Sequence, residues 1–454
     1  MSDVNATAGP SDSGRVILAA SGRWTSTSWS SWVATRASML QQQGVRARQV
    51  VICPDSPALD LVLMREALMR LGAALFPMRS GMSSDDILVL ASSCGAEWRW
   101  CSRAGLVQST GVAGPPDAPA AALLVKTSGS SGEPKIVMLA RDALDAAADI
   151  ANHWLAFGPE DRWLCCLRLS HIAGLAILHR WWRAGAGLVL HEGFDAARLA
   201  QDLQRQAVTH VSLVPVMLDR LLAIGAPPPA SLRVVLIGGQ ALSTRLARRA
   251  LAAGWPLYPT YGMTETGAQI ATSATSLTQI PEAGRIGPLL PGVEIDHPGT
   301  GDEPKPIRIR GPMLMAGYAN PARRPGQGLL GDWFATSDLG WVDQDGTLTV
   351  VGRVDEIVLI GGQKIALPRI AEQVLRAPGV QELEIVGLDD SVWGCRLVVV
   401  YAGTIDEARL AAWCKQQLAG AERPRAFKRI AALPRLATGK HDRVAIRALA
   451  QDGV

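Results

Sequence analysis

The chain has 454 residues, too many for one ordinary core, so at least two domains with a large buried interior are expected. An apolar fraction of 48% supports compact folding, and 45 Lys and Arg against 41 Asp and Glu, spread without basic blocks, give a net charge of +4 that excludes a nucleic-acid binder's footprint. Seven cysteines, with no Cys-x-x-Cys pair and no histidine at zinc spacing, indicate neither a disulfide framework nor a metal cluster and fit a reducing cytoplasm.

In chain order, residues 1–14 are polar and read as a disordered tail, without the charged and apolar regions of a signal peptide. The apolar stretch from Leu61 to Phe76 is broken by Arg65, Glu66 and Arg70, well short of the roughly 20 apolar residues a membrane helix needs. A soluble protein without membrane partners is therefore expected. Apolar runs at Val50–Cys53, Leu123–Val125, Leu188–Leu190, His210–Val214 and Val234–Ile237 read as buried strands. Helical periodicity at Ala143–Trp154 and Ala196–Gln206 separates them, the strand and helix alternation of an α/β fold. That pattern predicts a large domain, residues 15–353, of mostly parallel sheets covered by helices, with ligands near the strand C-termini.

From about Trp333 a hairpin turns on Asp345-Gly346. It is followed by a strand at Ile357–Ile360, a Gly-Gly turn, a helix over Pro368–Arg376, and strands at Glu384–Val386 and Leu397–Tyr401. These define a small, mobile α+β C-terminal domain, residues 354–454.

Two loops carry chemistry. Directly after the second strand run comes Thr127-Ser128-Gly129-Ser130-Ser131-Gly132-Glu133-Pro134-Lys135. Its glycines let successive N–H groups converge, its hydroxyls add donors and Lys135 adds charge, which together suit a polyphosphate. It is not a Walker A loop, because no Gly-Lys-Ser/Thr follows at the required spacing. The bland alternative is a flexible surface loop. The second, Tyr261-Gly262-Met263-Thr264-Glu265-Thr266, joins an aromatic face for a base, a hydroxyl and a carboxylate suited to Mg²⁺. Alone, it reads equally as a turn with a capping threonine.

With Ser337-Asp338-Leu339-Gly340, Gly352-Arg353-Val354-Asp355 and Gly439-Lys440, these loops resemble, in order, the core motifs of the adenylate-forming enzymes: acyl-CoA synthetases, peptide-synthetase adenylation domains and luciferases. The resemblance runs from about Gly22 to the C-terminus. It implies ATP, Mg²⁺ and coenzyme A as reactants and cofactors, a small-molecule carboxylic acid as substrate, and a chain compatible with a homodimer. It also implies that Thr127 to Lys135 fold over the ATP phosphates and that Tyr261 stacks on adenine beside Gly238, Gly239 and Gln240. Thr264 would touch the reacting carboxylate and α-phosphate, Glu265 would bind Mg²⁺, and Asp338 and Arg353 would hold the ribose. Asp355 would be the hinge of the small domain, Gly361 and Gly362 would leave the CoA passage, and Lys440 would bridge carboxylate and α-phosphate. Such chemistry brings two anions together, so a cation must sit where charge builds up.

Within that superfamily, His171-Ile172-Ala173-Gly174 through Arg180 to Ala186, with Thr209 to Pro215, is similar to the bacterial o-succinylbenzoate-CoA ligases of menaquinone biosynthesis. There the histidine borders the acyl pocket and the arginine faces the substrate's second carboxylate. On a helix from Gly174, Ala173, Ala176, Ile177, Arg180 and Ala184 share a face, small residues around one guanidinium. The alternatives are a solvent-facing Arg180 and a structural His171. Departures are Arg168 for a usual proline, Ser170 for an aromatic residue, Ala173 for a serine, Ser131 for a threonine, and Pro368-Arg369-Ile370-Ala371-Glu372 with one acidic residue fewer. A ligase for another aromatic acid of hydroxybenzoate type, and a stand-alone enzyme loading a carrier protein, are the competing readings.

Overall fold

The computed structural model describes residues 16–101, 105–109, 120–127, 135–296, 298–301, 303–320, 323–361, 363–390, 393–435 and 441–452. The expected tail, loop residues Ser128 to Pro134, Gly362 and Lys440 lie outside them.

The chain divides into two compact units, one of residues 1–280, 286–296 and 308–335, the other of residues 281–285, 297–307 and 336–454. The first holds two sheets. One has seven strands, in the order Gly317–Tyr318, Lys135–Ala140, Ala121–Thr127, Ala74–Met78, Val50–Pro54, Trp98–Cys101, Gly105–Gln108. The other has eight, in the order Ala268–Thr272, Leu257–Met263, Val234–Ile237, His210–Leu213, Arg162–Cys165, Gly187–Leu190, Val16–Ala19, Gly22–Thr25. Central pairings are parallel in both, and antiparallel partners stand at the edges.

The central strands Val50–Pro54, Ala74–Met78, Gly187–Leu190 and Val234–Ile237 are apolar because both faces of each sheet are covered there. Side chains alternate along a strand, so Val51 and Cys53 enter a central core while Val50 and Ile52 enter a separate outer one. The central core also takes Trp163, Leu188 and Val234 from the eight-stranded sheet and the apolar faces of helices Ser26–Gln42, Ala58–Leu71 and Ile172–Ala184, so these helices lie between the sheets. Leu164, Val189, Val211 and Val235 meet helices Ala196–Arg205, Pro215–Ala223 and Thr244–Ala252 on the far side.

In the second unit, Phe334–Val342 pairs with Thr347–Arg353 as the expected hairpin, the first strand beginning just before the unit does. Farther on, a three-stranded sheet of Val380–Asp390, Gly394–Gly403 and Ala426–Arg429 buries one face under helices Leu367–Val374 and Glu407–Gln417 and the other under Arg443–Gln451. No helix among the described residues is long and apolar enough to cross a membrane.

Candidate active site

The site of the first unit begins where neighbouring parallel strands end. Val235, Leu236 and Ile237 pair with Leu257, Tyr258 and Pro259, so Gly238-Gly239-Gln240 and Tyr261 emerge side by side at the strand C-termini. Backbone approach is close there: a Cβ on Gly238 would lie 2.8 Å from the Thr260 methyl, and one on Gly262 would lie 1.6 Å from the Ala268 carbonyl oxygen. The chain then makes a single turn, Thr264–Thr266. The Met263 N–H donates to Thr266 Oγ1 at 3.2 Å, and the buried Thr266 hydroxyl lies 2.9 Å from the Ala268 carbonyl. Thr266 is therefore the capping threonine of the turn.

Glu265 is held twice by one segment: its carbonyl accepts the Met315 N–H at 2.8 Å, and its Oε1 accepts the Tyr318 hydroxyl at 2.9 Å. Thr127 and Lys135 face each other across an antiparallel strand pair, and the Lys135 ammonium stands 5.0 Å above the Tyr318 ring. Tyr318 thus connects the end of one motif to the carboxylate of another. No sequence motif singled it out.

His171 occupies the N-cap position of helix Ile172–Ala184 without a side-chain cap hydrogen bond, and Gly174 is required there because a Cβ would sit 2.5 Å from the Arg168 carbonyl. Arg180 is 3% exposed, its guanidinium 5.2 Å from the Trp163 ring and its Nε without a hydrogen-bond partner. No acidic side chain among the described residues forms an ion pair with it. Burial pushes its pKa down to about 9. This excludes the solvent-facing alternative, which describes Arg183 instead, an exposed residue bonded to Asp149 at 2.8 Å.

The expected small-residue face needs correction. Gly174 through Trp181 are all buried whereas Ala173 is exposed, so this helix is enclosed nearly all round rather than presenting one stripe. Beside Arg180, His179 Nε2 lies 2.6 Å from Asp145, and its Nδ1 meets Arg65, which also pairs with Glu66.

The second unit brings Asp338 opposite Arg353 in the hairpin register, with Arg353 Nη1 to Asp338 Oδ1 at 3.3 Å and Arg353 Nε to Asp355 Oδ1 at 2.9 Å. Gly361 has φ +56° and donates to the Trp393 carbonyl at 3.0 Å. On either side of residues 436–440, Arg435 pairs with Glu382 and His441 Nδ1 lies 2.8 Å from Glu384.

The sequence model of the family described as AMP-binding enzyme matches residues 102–319, and that of the AMP-binding enzyme C-terminal domain matches residues 369–440. A 2-succinylbenzoate–CoA ligase of Bacillus licheniformis is 35% identical over 330 residues, 70% of this chain and 68% of that protein. The chain belongs to the AMP-binding enzymes. A second such relative, the 2-succinylbenzoate–CoA ligase of Listeria monocytogenes, is 32% identical over 71% of this chain and 69% of its own. Among solved structures, the o-succinylbenzoate CoA synthetase of Bacillus subtilis with ATP and magnesium ion superposes with a TM-score of 0.83 at 26% identity, covering 97% of both chains. The same enzyme bound to its acyl-adenylate intermediate gives 0.81 at 25% identity, over 96% of this chain and 95% of that one. ATP-bound MatB from Rhodopseudomonas palustris shares the fold, with a TM-score of 0.86 at 20% identity, covering 98% of this chain and 97% of that one.

As in other AMP-binding enzymes that use ATP with Mg²⁺, a dication arriving on a polyphosphate keeps several waters and needs only one or two protein carboxylates. Glu265 is a carboxylate of the kind such a dication would need, and its Oε1 accepts the Tyr318 hydroxyl. This fits the donor set, in which no group of three His, Cys, Asp or Glu among the described residues could hold a metal unaided.

Proposed function

We propose that this AMP-binding enzyme is a 2-succinylbenzoate–CoA ligase. The carboxylate of the acid attacks the α-phosphorus of ATP, releasing pyrophosphate and forming the acyl-adenylate. The CoA thiol then attacks the acyl carbon, a C–S bond replaces the C–O bond to phosphate, and AMP departs with the thiol proton lost to solvent.

Tyr261 with Gly238, Gly239 and Gln240 receives the adenine, Thr127 to Lys135 the phosphates, and Thr264 the reacting carboxylate. Magnesium, when bound, neutralises phosphate charge, and Glu265 is its protein ligand. Asp338 and Arg353 take the ribose hydroxyls, and Lys440 stabilises charge between carboxylate and α-phosphate. The large domain ends at Arg353, Asp355 is the hinge, and the Gly361-Gly362 turn leaves room for the pantetheine arm.

The observation that carries the substrate is Arg180. A buried cation with no anionic partner is costly, and a substrate with a second carboxylate supplies the missing partner through a charge-assisted hydrogen bond. The test is pyrophosphate release and thioester formation with a panel of aromatic and dicarboxylic acids. Arg180→Ala is expected to lower kcat/KM for 2-succinylbenzoate about 30- to 150-fold, corresponding to ~2–3 kcal/mol. Turnover of benzoate, which has no second charge, should change little. Wild type inactive on 2-succinylbenzoate, or a substitution that affects both acids alike, would leave only an aryl-CoA ligase.

A further inference from the structure

We propose that Tyr318 is the positioning residue for the metal carboxylate, coupling Glu265 to the phosphate-loop lysine. The inference rests on the reading of Glu265 as the Mg²⁺ ligand. It starts from backbone geometry. The short edge strand Gly317–Tyr318 pairs with Lys135–Ala140, with Tyr318 opposite Val137 and Gly317 opposite Met138, and the Ala319 N–H donates to the Ile136 carbonyl at 2.7 Å. This register sets the tyrosine beside the strand that begins at Lys135.

The ring has little room to move. The Tyr318 N–H donates to the Gln327 carbonyl at 2.9 Å, and a Cβ on Gly328, whose φ is +89°, would lie 2.4 Å from two ring carbons. The loop after the strand therefore passes flat against the ring. With the ring fixed, its hydroxyl occupies Glu265 Oε1 at 2.9 Å. The Met315 N–H fixes the Glu265 main chain from the same segment.

Two consequences follow for the chemistry. A carboxylate oxygen that already accepts a hydroxyl leaves the other oxygen as the metal donor, in one orientation, so the rotamer entropy of Glu265 is lost on folding rather than on binding. The Lys135 ammonium, 5.0 Å from the centroid of the same ring, is drawn to its negative face. One aromatic side chain thereby sets the spacing between a cation for the phosphates and an anion for the dication they carry.

The experiment compares wild type, Tyr318→Phe, Glu265→Gln and the double variant. Phenylalanine keeps the ring under Lys135 and removes only the hydroxyl. Mn²⁺ binding to the enzyme–ATP complex without acid is followed by electron paramagnetic resonance, Mg²⁺ dependence by pyrophosphate release, and folding by thermal melting. Tyr318→Phe is expected to raise the half-saturating Mn²⁺ and Mg²⁺ concentrations about 10-fold, the scale of losing a group that orients a metal ligand. KM for the acid and the melting temperature should be kept. In the Glu265→Gln background the same change should add almost nothing.

A shift with Glu265→Gln but none with Tyr318→Phe overturns the positioning role and leaves the metal ligand standing. No shift with Glu265→Gln overturns the metal reading and this inference with it. Full additivity in the double variant shows that the hydroxyl acts elsewhere and also overturns it. Should Tyr318→Phe lower the melting temperature, the cycle is read at a temperature where all four proteins are folded, and the same additivity criterion decides.

Discussion

Asp55 explains two departures from the family pattern at once. It is 6% exposed, and its Oδ1 accepts the Ser80 N–H at 2.8 Å while its Oδ2 accepts the Ser170 hydroxyl at 2.7 Å and faces Arg168 at 3.6 Å. Arg168 and Ser170, which replace a usual proline and an aromatic residue, are thus the two residues of the loop before His171 that contact this carboxylate. Together they tie that loop to the strand Val50–Pro54, which Asp55 directly follows. Asp55→Ala leaves the Ser80 N–H and the Ser170 hydroxyl without their acceptor, and stability measured by urea denaturation should fall by about 1–3 kcal/mol. Ser170→Ala should cost less, and Asp55→Ala with Ser170→Ala should cost less than the two summed, since the groups share one bond. Strict additivity of the denaturation midpoints would show that the bond contributes nothing.

Helix Ile172–Ala184 shows how the sequence both discloses and conceals an element. Its existence was legible, and so was the inward placement of Arg180. Its burial on almost every side was not, because an enclosed helix has no apolar stripe to read. The reverse holds for the sheets, where strands covered on both faces spell continuous apolar runs, and Val234–Ile237 begins and ends where expected. Val214 falls outside its expected strand because Pro215 starts a helix there. The expected strand Glu384–Val386 runs longer at both ends, over Val380–Asp390, and the charged Glu382 and Glu384 within it pair with Arg435, His441 and Arg443.

Arg65 and Glu66 likewise read as polar interruptions of an apolar stretch but lie buried, bonded to each other, with Arg65 also bonded to His179. Such partners are chosen by the fold across large separations: His179 and Asp145 are 34 residues apart, Tyr318 and Glu265 53, Ser170 and Asp55 115. No local pattern discloses them. Burial, then the charge of Arg65, hold the His179 pKa down at about 2, below its ordinary value of 6.5. The unfolded chain therefore takes up a proton that the folded one refuses, so this site's contribution is steady above about pH 6.5 and stability is lost as pH falls below it. Between pH 7.5 and 5.5 the loss from this residue is about 1.4 kcal/mol. His179→Gln should flatten the pH dependence of the urea midpoint by that amount, and an unchanged slope would show that the imidazole titrates normally.

Across the whole molecule the expected site residues divide between the units: Thr127, Lys135, His171, Arg180, Gly238, Gly239, Gln240, Tyr261, Thr264 and Glu265 in the first, Asp338, Arg353, Asp355, Gly361 and Lys440 in the second. The proposed reaction divides too, and its halves differ in electrostatics. In the first, a carboxylate approaches an α-phosphate and negative charge accumulates between them, so one cation placed there lowers the barrier. In the second, a thiol adds to an already activated acyl group and AMP leaves, which makes no demand on that cation. Lys440→Ala should therefore slow acid-dependent pyrophosphate release about 10²- to 10³-fold, the scale of removing one transition-state stabiliser. Thioester formation from synthetic acyl-adenylate and CoA should continue near the wild-type rate. Measured by rapid quench on one preparation, a loss confined to the first half places the charge requirement on Lys440. A parallel loss in both halves would mean that the residue supports the folded second unit and not the adenylation step.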